Sequence, residues 1–250
     1  MPNPWDAGTA RLLESLGFEA LATTSSGYAA TLGRLDYSVT REEALGHAAG
    51  IVAAVDLPVS ADLENGFADD PEGVAATVVA AVEVGLAGCS VEDFTGRADD
   101  PIYPLDLAAR RAAAAAAAAH SGPGLVLTAR TENYLHGHPD RGDTIERLLA
   151  YQEAGADVLY APGLVDLADI RAVVAAVDRP VNVLLLPGGP TVAQLGEAGV
   201  ARVSVGGAFA HVALAAVAAA GAELREHGTS GWQEEAAEGR RLARDAFRPA

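Results

Sequence analysis

Lysine is absent from this 250-residue sequence; all seventeen basic residues are arginine. Schiff-base aldolase chemistry and the phosphate-binding P-loop both need a lysine amine, so neither is available. Cys89 is the only cysteine, which excludes an internal disulfide and a multi-cysteine metal site. It lies in an apolar run and reads as a buried core thiol. No uninterrupted apolar stretch reaches eighteen residues despite the abundance of alanine, so no membrane-spanning helix is read. The first residues lack the basic-then-apolar pattern of a secretory signal, and the expectation is a soluble cytoplasmic protein. Basic residues are outnumbered by thirty-four acidic ones, for a net charge of −17. That field repels nucleic acid and anionic membranes, so neither is expected as a partner. No Gly-x-Gly-x-x-Gly follows a strand, and no serine sits in a nucleophile elbow.

What is present is a recurring unit: an apolar helical stretch, a glycine, then a short β-branched run ending in polar residues. Gly85 leads into Cys89-Ser90-Val91-Glu92, Gly155 into Asp157-Val158-Leu159-Tyr160, and Gly199 into Arg202-Val203-Ser204-Val205. Glycine supplies the left-handed turn that ends a helix, and each short run suits a parallel strand buried on both faces. Strands are expected near 20–24, 57–62, 88–92, 125–130, 157–160, 181–186 and 202–205. An eighth, before Trp5, has only Met1 to Pro4 to form it. Thr40 with Glu43, Asp143 with Glu146 and Thr191 with Gln194 have the spacing of helix-starting caps. The Ala112–Ala119 run predicts a structural helix. Strands alternating with helices over this length predict one (β/α)₈ barrel domain spanning 1–250, with a short or truncated first strand and a C-terminal helical tail over 229–250.

In such a barrel the active site lies at the C-terminal strand ends. Asp62 and Glu64, two apart, would project to one side of an extended strand, and Glu92 ends the next. Three converging carboxylates repel one another unless a cation sits between them, and an oxygen-only donor set suits Mg²⁺, with Mn²⁺ as the other candidate. Arg130 could bind a carboxylate or phosphonate bidentately. His136-Gly137-His138 has the alternation of a metal pair, but its place in a loop near a proline reads as solvated histidines.

Asn3-Pro4-Trp5-Asp6-Ala7-Gly8, Ser60-Ala61-Asp62-Leu63-Glu64-Asn65-Gly66-Phe67, Val91-Glu92-Asp93 and Thr128-Ala129-Arg130-Thr131-Glu132-Asn133 resemble the phosphoenolpyruvate mutase/isocitrate lyase superfamily. The resemblance runs from Asn3 to about His227. It implies a Mg²⁺-bound 2-oxo acid or enolate at the barrel mouth, with Asp62 ligating the metal directly and Glu64 and Glu92 acting through water. By the same resemblance, Asp36 in Leu32-Gly33-Arg34-Leu35-Asp36 lies near the substrate as a catalytic residue, and Ser25, Ser26 and Gly27 bind its carboxylate. Arg130 serves as a basic clamp, with Glu132 and Asn182 completing the substrate site.

Departures from the pattern are as informative. Family lyases carry a Lys-x-x-Cys-Gly-type mobile loop; here that stretch is Phe94-Thr95-Gly96-Arg97-Ala98-Asp99-Asp100-Pro101. The asparagine-bearing gate loop of the mutases is not recognisable either. Tyr160-Ala161-Pro162 stands where relatives place Glu or His, and apolar Val183–Leu186 follows Asn182. The leading expectation is a Mg²⁺-dependent C–C lyase acting on a 2-hydroxy or 2-oxo carboxylate, with Tyr28, Tyr160 or a metal-bound water as proton donor. The alternatives are C–P chemistry, as a phosphonomutase or phosphonopyruvate hydrolase, and a non-catalytic metabolite-binding barrel. The expected partner is a small carboxylate or phosphonate. Because family members commonly swap a C-terminal helix, a homodimer or homotetramer is expected, anchored by Trp232 and Phe247.

Overall fold

A computed structural model describes residues 1–248. Pro249 and Ala250, the end of the expected tail, lie outside the described residues. Seven parallel strands follow one another in chain order around a nearly closed barrel: β1 (Leu21–Ala22), β2 (Val59–Asp62), β3 (Gly88–Glu92), β4 (Val126–Arg130), β5 (Val158–Tyr160), β6 (Val181–Leu184) and β7 (Arg202–Ser204). Helices alternate with them: α1 (Ala7–Ser15), α2 (Ser25–Thr31), α3 (Arg41–Val52), α4 (Pro71–Glu83), α5 (Leu105–Ala119), α6 (Arg141–Glu153), α7 (Leu167–Ala176), α8 (Val192–Glu197), α9 (Ala208–His227) and α10 (Gln233–Ala246).

The eighth strand does not form, and side-chain chemistry closes its gap. The Met1 amine donates to the Val203 carbonyl at 2.8 Å on one side, and Ala22 N donates to the Pro2 carbonyl at 3.0 Å on the other. The Asn3 amide completes the seam. Its Nδ2 donates to Thr23 O at 3.1 Å, while its Oδ1 accepts from Val205 N at 2.9 Å and Gly206 N at 3.0 Å. A planar amide offering donor and acceptor together satisfies backbone groups that a full strand would otherwise pair.

The strands are not apolar on both faces. Cys89, Val91, Leu127, Ala129, Leu159 and Val183 point outward and are buried against the helices. Their neighbours Ser60, Asp62, Ser90, Thr128, Arg130 and Asn182 line a cavity inside the barrel. The hydrophobic effect thus acts on the outer face, and the barrel interior is polar, unlike the branched apolar layers usual in this fold. Cys89 is fully buried, and burial pushes its thiol up to about 12.

Two of the three expected caps form as full capping boxes, Thr40 with Glu43 on α3 and Thr191 with Gln194 on α8. The third does not. Helix α6 begins earlier because Asp140 accepts from Gly142 N and Asp143 N, leaving Asp143 inside the first turn to pair with Arg147 at 2.9 Å. The alanine run forms α5, buried against α4 and α6.

Helix α9 is the one element long and apolar enough, by length and composition, to cross a membrane among the described residues, with a mean hydropathy of 1.3. The sequence reading passed over it because charged residues interrupt it. Only Ala210 is buried, and Val212 and Val217 stand 67% and 71% exposed. In the tail, α10 packs on α1 of the same chain.

Candidate active site

The cavity at the C-terminal end of the strands has a volume of about 240 Å³. Its acidic wall is built by β2, β3 and β4. Parallel pairing sets Glu92 opposite Arg130 and Asp62 opposite Ser90, so the polar residues of neighbouring strands meet in layers. Arg130 lies at the centre of the acids. Its Nη1 is 3.0 Å from Asp62 Oδ1, and its Nη2 is 3.0 Å from Glu92 Oε2 and 2.7 Å from Glu132 Oε1. Burial works against the guanidinium charge, but Glu132, Glu92 and Asp62 together hold its pKa well above the ordinary value.

Asp62 is the most fully bonded of these carboxylates. Oδ2 accepts from Ser25 N at 3.2 Å and Ser25 Oγ at 3.0 Å, and Oδ1 accepts from Glu64 N at 3.3 Å as well as from Arg130. Ser25 opens α2, whose N-cap Thr24 turns the chain there. Ser26 lies close to Gly207, and Gly27 is pressed between Trp5 and Ala210, where a Cβ would come within 3.3 Å of both.

Glu64 reaches the site by a different route from the one its spacing suggests. Strand β2 stops at Asp62, and Glu64 adopts a left-handed backbone with φ of 48°. A tight turn, not strand alternation, brings its carboxylate back toward Asp62. Burial, then Asp62 and Asp36, push its pKa up to about 8. Glu92 and Glu132 are also raised, again chiefly by burial. Behind them, Asp93 is a buried brace: it accepts from Glu132 N at 2.8 Å, Tyr151 Oη at 2.5 Å and Arg147 Nη1 at 3.2 Å.

Three carboxylate oxygens, Glu64 Oε1, Glu92 Oε1 and Glu132 Oε2, are buried without a hydrogen-bond partner. Leaving such acceptors unmatched is costly, and a hydrated divalent cation would supply the donors and the positive charge they lack. Among the described residues, no three His, Cys, Asp or Glu side chains stand close enough to form a ready-made ligand triad. The donor set therefore fits a cation anchored at one carboxylate and bridged by water to the others.

The opposite wall carries Arg202 and, beside it, the Met1 amine. Asn182 Nδ2 donates to Ser204 Oγ at 3.0 Å, and its Oδ1 accepts from Arg202 Nε at 2.9 Å. Asp36 lines the mouth, its carboxyl raised by burial. Tyr160 also lines the cavity, whereas Tyr28 lines a smaller hollow beside Ser25 and Asp62, where its ring stacks on His47 at 3.9 Å.

The sequence reading missed Tyr37. This residue adopts φ of 59°, lines the cavity, and has its phenol raised by burial and by the neighbouring Glu92 and Glu132. Its ring meets Phe94 edge-on at 4.7 Å, and Phe94 stacks on His136 at 3.7 Å. His136 is consequently not the solvated residue its loop suggested: the ring packs on Phe94 and sits 3.9 Å from Glu132 Oε2. An unusual tyrosine directly after Asp36 was the available signal for Tyr37, but nothing in the sequence disclosed the loop conformation.

Comparison with known proteins agrees with this geometry. The family model for phosphoenolpyruvate phosphomutase matches residues 1–225. "Probable 2-methylisocitrate lyase 1" of Corynebacterium glutamicum is 32% identical over 248 residues, covering 93% of this chain and 79% of that protein. Oxaloacetate decarboxylase of Pseudomonas aeruginosa is 32% identical over 221 residues, covering 84% and 74%. The crystal structure of a Burkholderia cenocepacia J2315 protein, provisionally named a lyase/mutase, superposes with a TM-score of 0.95 at 54% identity, over 100% of this chain and 90% of that one. Matched across nearly its whole length and carrying the acidic barrel mouth, the chain belongs to the phosphoenolpyruvate phosphomutase family, within the phosphoenolpyruvate mutase/isocitrate lyase superfamily of lyases and mutases.

Proposed function

We propose that this protein is a Mg²⁺-dependent lyase that cleaves a C–C bond of a 2-hydroxy or 2-oxo carboxylate. The observation that carries the reading is the buried acidic cluster at the strand ends: Glu64, Glu92 and Glu132 each keep an unpartnered carboxylate oxygen, and Glu92 and Glu132 pair with Arg130. Superfamily members depend on a divalent metal, and the relatives named as 2-methylisocitrate lyase and oxaloacetate decarboxylase act on carboxylates of this kind.

Asp62, oriented by Ser25, would hold the cation, with Glu64 and Glu92 reached through water. Once bound, the metal would polarise the substrate's 2-oxygen and offset the negative charge that builds as the bond breaks. Asp93 fixes the backbone of Glu132 and so the plane of Arg130. The residues assigned to the substrate are Ser25, Ser26, Gly27, Arg130, Glu132 and Asn182, with Asp36 at the mouth. Tyr37 and Tyr160 both line the cavity and are the candidate proton donors in place of the cysteine that lyases carry on their mobile loop.

One observation favours a second reading: the 94–101 segment holds neither Lys nor Cys, which suits C–P chemistry better than lyase chemistry. The test is to incubate the protein and Mg²⁺ with a panel of 2-hydroxy and 2-oxo diacids and with phosphonopyruvate, followed by NMR. Pyruvate or glyoxylate from a diacid supports the lyase; a rearranged phosphonate or released phosphate would replace it with the second reading.

A further inference from the structure

Arg202 is a cation that the carboxylate cluster does not use. It pairs in register with Asn182 across β6 and β7 and lines the cavity. Its Nε donates to Asn182 Oδ1 at 2.9 Å, and its Nη2 donates to Thr128 Oγ1 at 2.8 Å. Both acceptors are neutral. Arg130 is matched by three carboxylates, whereas Arg202 forms no salt bridge among the described residues. A guanidinium carries donors on all three nitrogens and no acceptor. Among the described residues the N–H groups left over on Arg202 have no protein partner and are not fully buried; the side chain lines this cavity and also a hollow at the N-terminal end of the strands. Burial without a counter-charge pulls this side chain down to about 10, the direction expected of an unmatched buried cation. A residue that merely filled the barrel would more cheaply be apolar.

Register also places this cation relative to the metal anchor. Asp62, Ser90 and Thr128 pair across β2, β3 and β4, so the hydroxyl that holds Arg202 belongs to the same layer as Asp62. The cavity therefore has Asp62, with Asp36 at the mouth, on one side and Arg202, beside the Met1 amine, on the other. We propose that Arg202, its plane fixed by Asn182 and Thr128, is an anion-binding subsite on the inner wall of the barrel and takes a carboxylate there. The carboxylate is either the far end of a substrate held at the acidic wall or a separate small acid. The first source rests on the function proposed above; the subsite itself does not.

Calorimetry in Mg²⁺ with lactate, malate and acetate as probes separates the sources. Both hydroxy acids can engage the acidic wall, but only malate has a second carboxylate. Wild type is expected to bind malate at least about tenfold more tightly than lactate. The Arg202→Met variant is expected to lose that preference while keeping lactate affinity within about twofold. Acetate binding to lactate-saturated protein that disappears in Arg202→Met, with no malate advantage, identifies a separate acid as the ligand. A malate preference that survives in the variant overturns the subsite, as does wild type showing neither preference nor acetate binding. Failure of lactate to bind wild type strikes the proposed function instead, and wild-type crystals soaked in bromide then decide for Arg202. The same soak decides if Arg202→Met does not fold. An anomalous peak at the guanidinium is expected, and its absence overturns the proposal.

Discussion

Arg130 Nη1 and Asp62 Oδ1 lie 3.0 Å apart, so the guanidinium occupies one side of the carboxylate that the family resemblance assigns to the metal. In the proposed site the bound metal and Arg130 would share one anion. Asp62→Asn removes the charge but keeps the shape and a hydrogen-bonding oxygen. It should abolish Mg²⁺ binding and turnover, and because both Asp62 oxygens accept from donors its NH2 must face one of them, so the thermal midpoint should fall modestly as well. Calorimetry that finds wild-type Mg²⁺ affinity in this variant removes Asp62 as the anchor.

Arg130 tests stability and catalysis together. Replacing it with Met leaves three buried carboxylates without their cation, a loss of roughly 3–5 kcal/mol by analogy with broken buried ion pairs. Mg²⁺ or mild acid should restore part of that loss. Arg130→Lys keeps the charge but cannot span three partners, and kcat/KM should fall on the order of a hundredfold. Near-wild-type turnover of the Lys variant would retire the clamp role, and an unchanged melting point for Met would retire the structural one.

The carboxyl of Glu64, raised to about 8, fixes the sign of a pH effect. Between its unfolded value near 4.5 and about 8, the folded state holds a proton that the unfolded chain has released. Metal-free protein should therefore lose stability as pH rises through that window. Mg²⁺ needs the ionised form, so its affinity should rise over the same range with proton uptake by the buffer. Melting curves at pH 6 and pH 8, with and without Mg²⁺, check both signs; a metal-free midpoint that rises toward pH 8 would contradict them.

Asn3 should matter for stability out of proportion to its size. Its side chain is buried and makes three hydrogen bonds across the barrel seam. Asn3→Leu should cost on the order of 2–4 kcal/mol, because the Thr23 carbonyl and the Val205 and Gly206 amides lose their partner. Chemical denaturation measures it, and a loss under about 0.5 kcal/mol would show that water seals the seam instead.

Val212, Val217 and the other exposed apolar side chains of α9 present apolar surface that nothing among the described residues covers. A dimer or tetramer in solution should bury it, since exposed apolar patches of this kind mark association surfaces. Light scattering should give a multiple of 25.4 kDa, reduced to the monomer by Val217→Arg. A wild-type monomer at micromolar concentration would count against the assembly. Phe247, expected as an anchor of that contact, touches Gly8 of its own chain and remains 44% exposed.

Much of this was legible in the sequence because it is local. Gly85, Gly155 and Gly199 all have positive φ, as the helix-ending role requires, and each precedes a strand that forms. Asp62, Glu92 and Arg130 converge because parallel register follows from strand order. What escaped was set by distant or irregular backbone. The Asn3 seam joins residues about two hundred positions apart, which no periodicity encodes. Glu64 and Tyr37 depend on left-handed turns that their residue types disfavour. Arg202 reads in sequence as an ordinary charge before a short apolar run, and only the inward pleat of β7 reveals it.

The contacting rings of Tyr37, Phe94 and His136 belong to three separate loops, those following α2, β3 and β4. Aromatic contacts of this kind contribute about 0.5–1.5 kcal/mol each beyond the area they bury, and Phe94 takes part in both. No one of the three loops can swing outward without breaking a contact with another. A change at Phe94 would therefore remove both contacts at once, including the one that braces Tyr37 at the cavity.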